Sequence, residues 1–436
     1  MHAAEPEAQC RQVRDAAWMF VFARVLLACL PISLVVDSAN GYLIWVGSAA
    51  PLSATFKLAF LAGLLGYLAL TKLEHFFVAV SSIAIVIALT LLHAIRGSDV
   101  EGAILDLQWG LRCVLIFVAY LAFGEMLKSG HLRSWHVASA FAACLAVIVA
   151  NLVVGMFGYG FAQYDEKFGT AGFFFAGNEL AVCIVSLAAV LFMFTFAARG
   201  VTAYLGIVLV FMAAAALTLT KVAIFGVMLL AVLLPVLQTL AVGLVRGRLD
   251  RKGLRFSAVA VFFAAVGLAL TVWFVVWLGF VDRGAFFLQR AGWVGLILSG
   301  RDVMIQSAWS QFAAGADLLD LLLGSGVWWL QGRHGGQTES DLVDFAIAFG
   351  LPATCLVVLV VLGVAAAAAG SLRKSARFYP FSAMVVFLGA FFIAISAVAG
   401  HVFNSGMAAP FIGISLAMWR SPVITDSRGA LVRYAR

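Results

Sequence analysis

The chain has 436 residues, of which 64% are hydrophobic and 11% charged, with a mean hydropathy of +1.07 and a formal net charge of +7. Soluble domains carry roughly a quarter charged residues, so a water-soluble fold is excluded. The basic excess sits in short turns with no basic stripe, which excludes nucleic acid as a partner.

Runs long enough to cross a bilayer, about 20 apolar residues each, recur along the chain. Twelve spans are expected, near 17–36, 55–72, 76–95, 108–127, 136–157, 179–198, 202–219, 222–244, 256–280, 342–368, 381–399 and 402–419. Each run is solidly apolar and lacks the alternation of a barrel strand, so the spans are read as helices. The first is longer than a signal-peptide core and has no A-x-A site before Asp37, so it is expected to be retained.

Arg and Lys gather in alternate turns: Arg11 and Arg14; Lys72; Lys128 and Arg133; Arg199; Arg246 to Arg255; Arg373 to Arg377; and Arg420 onward. By the positive-inside rule this fits an even number of spans with both termini cytoplasmic. The expected fold is an all-α polytopic membrane bundle of about twelve spans, one integral membrane domain over 1–436. One long periplasmic loop, 281–341, is expected to contain amphipathic helices. Six cysteines are present, five inside spans, and none has ligand spacing, so neither a disulfide framework nor a metal site is indicated.

The remaining polar residues fall on the outer side. They include the Arg96–Asp106 and Tyr159–Glu179 loops, Lys221 between spans seven and eight, and His401 with Asn404 between the last two. In the long loop, Ser299-Gly-Arg-Asp302 has the Ser-x-x-Asp form of a helix start. Ile305, Trp309 and Phe312 then recur at helical spacing, and Leu318, Leu319, Leu321 and Leu322 extend the surface, which predicts a helix lying at the outer interface. Arg301 falls in its first turn, where free N–H groups favour a phosphate. The bland alternative pairs Arg301 with Asp302 or a lipid headgroup. Outer aromatics, among them Tyr159, Trp293, Trp309, Trp328 and Trp329, suit an interfacial belt, and sugar stacking is the functional alternative.

These residues carry a resemblance. Gly172-Phe-Phe-Phe-Ala-Gly-Asn-Glu179, Thr218-Leu-Thr-Lys221, Gly300-Arg301 followed by Trp309, and Gly324-Ser-Gly326 followed by Glu339 and Gly350 stand in an order similar to that of the membrane family of O-antigen ligases and O-antigen or exopolysaccharide polymerases. The similarity covers about 170–350. Ligases of that family carry a His eleven residues before the last Gly. Here that position is Glu339, within Thr338-Glu-Ser-Asp341, which resembles the polymerase branch.

The resemblance implies transfer of a glycan from a polyprenyl diphosphate to a sugar hydroxyl. Cations must neutralise the diphosphate and a base must take the hydroxyl proton. For the first task the candidates are Arg301 and Lys221, then Arg283, Arg290 and Arg112, with Arg333 and Asn178 as further substrate contacts. Lys221 snorkelling from a span end is the alternative reading, and an intramembrane Arg112 calls for a partner or a ligand. Arg24, deeper in span one, is expected to pair within the bundle. For the second task the candidates are Glu339 and Asp341, with His334 either a base or a glycan contact in a glycine-rich loop. A solvated acidic helix start is the alternative for the carboxylates.

The expected activity is a glycosyltransferase at the periplasmic face of the bacterial inner membrane, polymerising lipid-linked repeat units of an O-antigen or exopolysaccharide. Expected partners are the polyprenyl-diphosphate-linked glycan, membrane lipids, and a chain-length regulator or flippase; no cofactor or metal is implied. The alternatives are a ligase acting on lipid A core and a secondary transporter or flippase. The long hydrophilic segment between spans nine and ten, rather than after span six, counts against the transporter.

Overall fold

The computed structural model describes residues 4–48, 50–163, 169–247, 251–277, 292, 298, 300–375 and 381–421. Over these residues the chain is an all-α bundle with one small β-ribbon. The first nine helices are α1 (Ala4–Trp45), α2 (Leu52–Thr71), α3 (Leu73–Ile95), α4 (Val100–Lys128), α5 (Ser134–Met156), α6 (Gly177–Ala198), α7 (Val201–Thr218), α8 (Lys221–Arg246) and α9 (Arg251–Trp277). After them come α10 (Arg301–Gly315), α11 (Leu318–Leu323), a single turn α12 (Val327–Trp329) that runs into a π-helical turn (Leu330–His334), α13 (Asp341–Ser375), α14 (Ser382–Val398) and α15 (Ala409–Ala417). Strands β1 (Phe161–Ala162) and β2 (Thr170–Gly172) pair antiparallel within the expected 159–179 loop.

Among the described residues, nine helices are long and apolar enough to cross a membrane: α1 to α8 and α13. Two shorter apolar segments, Gly253–Phe263 in α9 and Ser382–Val398, coincide with expected spans nine and eleven. The expected crossing at 402–419 is different. Residues 400–408 are irregular, and α15 has only nine residues, about 13 Å at 1.5 Å per residue. The irregular stretch and the half-helix are both buried almost throughout. Non-helical backbone at membrane depth is tolerated only inside protein, and the buried 400–408 stretch meets that condition. A Cβ at Gly413 would lie 2.4 Å from the Ile116 carbonyl oxygen, so α15 lies directly on α4.

The expected span 342–368 is also broken. Gly350 has φ 85° and ψ 164°, and Pro352 follows with no N–H to give. The carbonyls of Ile347 and Ala348 accept instead from the N–H groups of Ser325 (2.8 Å) and Gly326 (3.1 Å). The exchange requires close approach: a Cβ at Gly324 would sit 2.2 Å from the Ala348 oxygen, and one at Gly350 2.4 Å from the Leu322 oxygen. The Gly-x-Gly and the later glycine of the sequence motif are thus two sides of one backbone contact.

One apolar core runs through the bundle, and a satellite cluster of Ala308, Phe312, Trp329, Leu330 and Ile347 fastens α10 to α12 and α13. The expected apolar face of α10 is partly realised. Phe312 is buried, but Trp309 is half-exposed and Leu318, Leu319 and Leu322 of α11 are exposed. Helix α4 starts at Val100, earlier than the expected 108. Asp106 therefore belongs to the helix and is fully buried rather than in an outer loop. As expected, Arg24 pairs inside the bundle: its Nη2 donates to His136 Nε2 at 2.9 Å, and its guanidinium lies over the Phe20 ring.

Candidate functional site

Several long-range polar contacts meet at the end of the bundle that carries α10 to α12. Helix α10 begins at Arg301, preceded by Gly300 in the left-handed conformation. Ser299, read as the cap, lies outside the described residues. From this first turn the Arg301 guanidinium reaches Glu339. Nε donates to Oε2 at 2.6 Å and Nη2 approaches the same oxygen at 2.5 Å, while Nη1 donates to the Val398 carbonyl at 3.2 Å. Of the two readings open from sequence, pairing with Asp302 or with phosphate, neither named this carboxylate. The Glu339 side chain is 39% exposed and Arg301 19%, so the pair can be approached from outside.

Glu339 is held in a costly conformation. Among the described residues only three non-glycines have φ in the left-handed region: Leu219 (52°), Glu339 (59°) and His401 (60°). Such residues cost on the order of 1–3 kcal/mol each and persist where the surroundings over-determine them. All three lie in turns at this end of the bundle. Leu219 caps α7 just before Lys221, whereas Gly400, next to His401, lies against the Glu339 turn: a Cβ there would meet the Glu339 carbonyl at 2.7 Å. The Glu339 turn is further pinned by Thr338, whose N–H donates to Asp344 Oδ1 at 2.9 Å.

Asp341 sits two residues on but in a different environment. It is 1% exposed, and its carboxylate accepts the N–H groups of His401 (2.8 Å), Val402 (2.7 Å) and Phe403 (2.9 Å). A second carboxylate, Glu179, grips the same irregular segment from α6. Its Oε2 accepts the Ser405 hydroxyl at 2.7 Å and the Met407 N–H at 3.2 Å. From α4, Arg112 donates to the Asn404 carbonyl at 3.3 Å. The backbone polarity that α15 leaves unpaired is thus met by three charged side chains of α4, α6 and α13. Arg112, taken from sequence as in need of a partner or a ligand, has a backbone partner.

The other expected site residues are scattered around this cluster. Lys221 is the first residue of α8, exposed, in a turn where the Thr220 hydroxyl accepts the Ala223 N–H at 3.4 Å. Asn178 is half-buried in the first turn of α6 beside Glu179. His334 ends the π-helical turn and its Nδ1 donates to the Gly336 carbonyl at 3.0 Å; Arg333 next to it is exposed. Arg283 and Arg290 lie outside the described residues, as does most of the first part of the 281–341 loop. Among the described residues no three His, Cys, Asp or Glu side chains converge as metal ligands.

Two further features were not anticipated. His93 of α3 and Asp106 of α4 form a buried pair at 2.7 Å. The other His93 nitrogen faces the Leu323 carbonyl at 3.1 Å, and the other Asp106 oxygen accepts the Val327 N–H, so the pair straps α11 and α12 onto the bundle. Beside it is a cavity of about 170 Å³ lined by Arg96, Gln311, Phe312, Asp320, Trp328 and Arg333 among others. Arg96 bridges Asp320 (2.9 Å) and Asp317 (3.4 Å), and the Ser325 hydroxyl donates to Asp320. Burial acts to raise the Asp320 carboxyl, but the Asp317 N–H, the Ser325 hydroxyl and Arg96 outweigh it and leave it below the usual carboxylate value. A sequence signal existed for Glu179, a carboxylate in the first turn of an apolar run. For the His93–Asp106 pair the only signal was an ionisable residue near each span end.

Chemically, the end of the bundle offers a reachable guanidinium–carboxylate pair on a rigid base. Compared with known proteins, the chain matches no family model and no curated protein.

Proposed function

We propose that this protein is a glycosyltransferase that polymerises polyprenyl-diphosphate-linked repeat units at the periplasmic face of the bacterial inner membrane, with about twelve crossings and both termini cytoplasmic. The single observation that carries the reading is the Arg301–Glu339 pair: a cation suited to phosphate and a carboxylate suited to proton transfer, in contact at the loop end of an apolar bundle and open to approach.

The pair is read as the resting state of the site. A diphosphate offers the guanidinium a richer set of acceptor oxygens than one carboxylate oxygen does. When the donor lipid takes Arg301, Glu339 is left unpaired beside the reacting centre. The acceptor hydroxyl then attacks the anomeric carbon: its C–O bond forms, the bond from that carbon to the diphosphate breaks, and the hydroxyl proton passes to Glu339. Arg301 neutralises the departing diphosphate, and Lys221, exposed at the same end, is proposed to assist it. Asp341, Glu179 and Arg112 are assigned to holding the 400–408 segment, which follows the Val398 carbonyl that Arg301 meets and sets Gly400 against the Glu339 turn.

The test is incubation of purified protein with a lipid-diphosphate-linked oligosaccharide, with products resolved by size. A ladder of longer lipid-linked chains supports the polymerase. Transfer only after addition of a lipid A core acceptor would replace it with the ligase reading, and movement of the lipid in vesicles without new linkages with the transporter reading.

A further inference from the structure

We propose that the cavity between α10, α12 and the end of α3 binds one pyranose ring bearing a carboxylate, that is, a uronic acid unit of a glycan. This deepens the proposed function and rests on it for the presence of a glycan.

Size limits the occupant first. Pockets for drug-sized ligands run to about 300–1,000 Å³, so about 170 Å³ admits a single sugar ring and not an oligosaccharide. The lining then selects chemistry. Trp328 is half-exposed, and Phe312 and Trp329 stand edge-to-face with centroids 5.5 Å apart, which makes one wall aromatic. The C–H face of a pyranose fits such a wall. The same lining holds planar hydrogen-bonding groups, the Arg96 guanidinium, the Asp320 carboxylate and the Gln311 amide, which suit adjacent hydroxyls. A lipid tail would lie against these polar groups and desolvate them without adding a hydrogen bond.

Charge selects the substituent. The lining carries Arg96 and Arg333 against one carboxylate, Asp320. Arg96 is occupied by Asp317 and Asp320, whereas Arg333 is exposed and makes no ion pair among the described residues. Arg333 is thus the cation on this lining that a sugar carboxylate can meet, and a bidentate guanidinium–carboxylate contact would give it a partner. Gln311 lies ten residues beyond Arg301 on α10, about 15 Å along the helix. That is further than one ring spans, so the cavity takes a sugar remote from the reacting centre and helps to recognise the repeat unit.

The experiment is saturation-transfer NMR and calorimetry on the purified full-length protein in detergent. The probes are the methyl glycosides of glucuronic, galacturonic and mannuronic acid, methyl glucoside, and inorganic pyrophosphate; no lipid-linked donor is needed. Saturable binding of at least one uronide, roughly fivefold tighter than the neutral glycoside, is expected. Arg333→Gln, an exposed change that leaves the fold intact, should abolish that preference, and Trp328→Ala should weaken both sugars about tenfold. Arg301→Ala should change neither. No saturable binding of any uronide, binding lost in Arg301→Ala and kept in Arg333→Gln, or pyrophosphate binding that displaces the sugars would each overturn the proposal. A protein that binds uronides yet makes no ladder fails the polymerase reading alone.

Discussion

Arg301 and Glu339, 38 residues apart in the chain, are joined through two guanidinium nitrogens to one carboxylate oxygen. The geometry leaves the second Glu339 oxygen uncommitted to Arg301. With Glu339 39% exposed, the pair contributes little to folding, since exposed ion pairs are worth about 0–1 kcal/mol. Under the proposed function, the left-handed turn at Glu339 serves to present its carboxylate to Arg301.

Loss of the Glu339 carboxylate should stop polymerisation and leave the fold in place. Glu339→Gln keeps size, and Glu339→Asn suits the left-handed backbone. Both are expected to reduce chain extension about 10²- to 10⁴-fold, the range of a general base, with Tm in detergent shifted little. Wild-type polymer length and yield in either variant would remove Glu339 from the mechanism.

Asp341→Asn should behave in the opposite way. It replaces one acceptor oxygen by an amide donor facing the N–H groups of Val402 and Phe403. Unpaired buried groups cost about 1–3 kcal/mol each, so a loss of about 2–5 kcal/mol is expected, read as a lower Tm. Activity should fall in proportion to folded protein. A variant with unchanged Tm and no activity would instead make Asp341 the base.

Gly324→Ala and Gly350→Ala should each be severe, because the new methyl would sit 2.2–2.4 Å from a carbonyl oxygen. Both glycines also have φ above 80°. A cost of about 3 kcal/mol or more per change is expected, measured as loss of detergent-stable protein. The double variant should cost less than the sum, since both break one contact.

Asp320 supplies a pH signature. Its folded-state carboxyl lies below the ordinary value. Its contribution is thus fully present above the unfolded value of about 3.9 and is lost as pH falls through the lowered folded value. Asp320→Asn should lower stability by about 1 kcal/mol at neutral pH. The gap from wild type should close below about pH 4. A gap that did not shrink at all between pH 5 and pH 3 would place the contribution in packing instead.

Hydrophobic content alone determined that this is a helical membrane-type bundle, because solid apolar runs of membrane length admit one backbone solution. The motifs and their resemblance, not hydrophobicity, singled out Arg301, Glu339 and Lys221 as candidate site residues. Hydrophobic content gave no sign of the break at Gly350 inside the 342–368 span, nor of the irregular start of 402–419, because apolarity reports removal from water and does not separate lipid from protein interior. Only neighbours could license the break at Gly350, whose freed carbonyls need Ser325 and Gly326, and the half-helix α15, whose approach needs Asp341 and Glu179, 60 and 226 residues away from their partners. The pairing of Arg301 with Glu339, the burial of Asp341 and the His93–Asp106 strap were decided at the same level. Each depends on which helix ends pack together, and hydrophobicity along the chain carries no information about that choice.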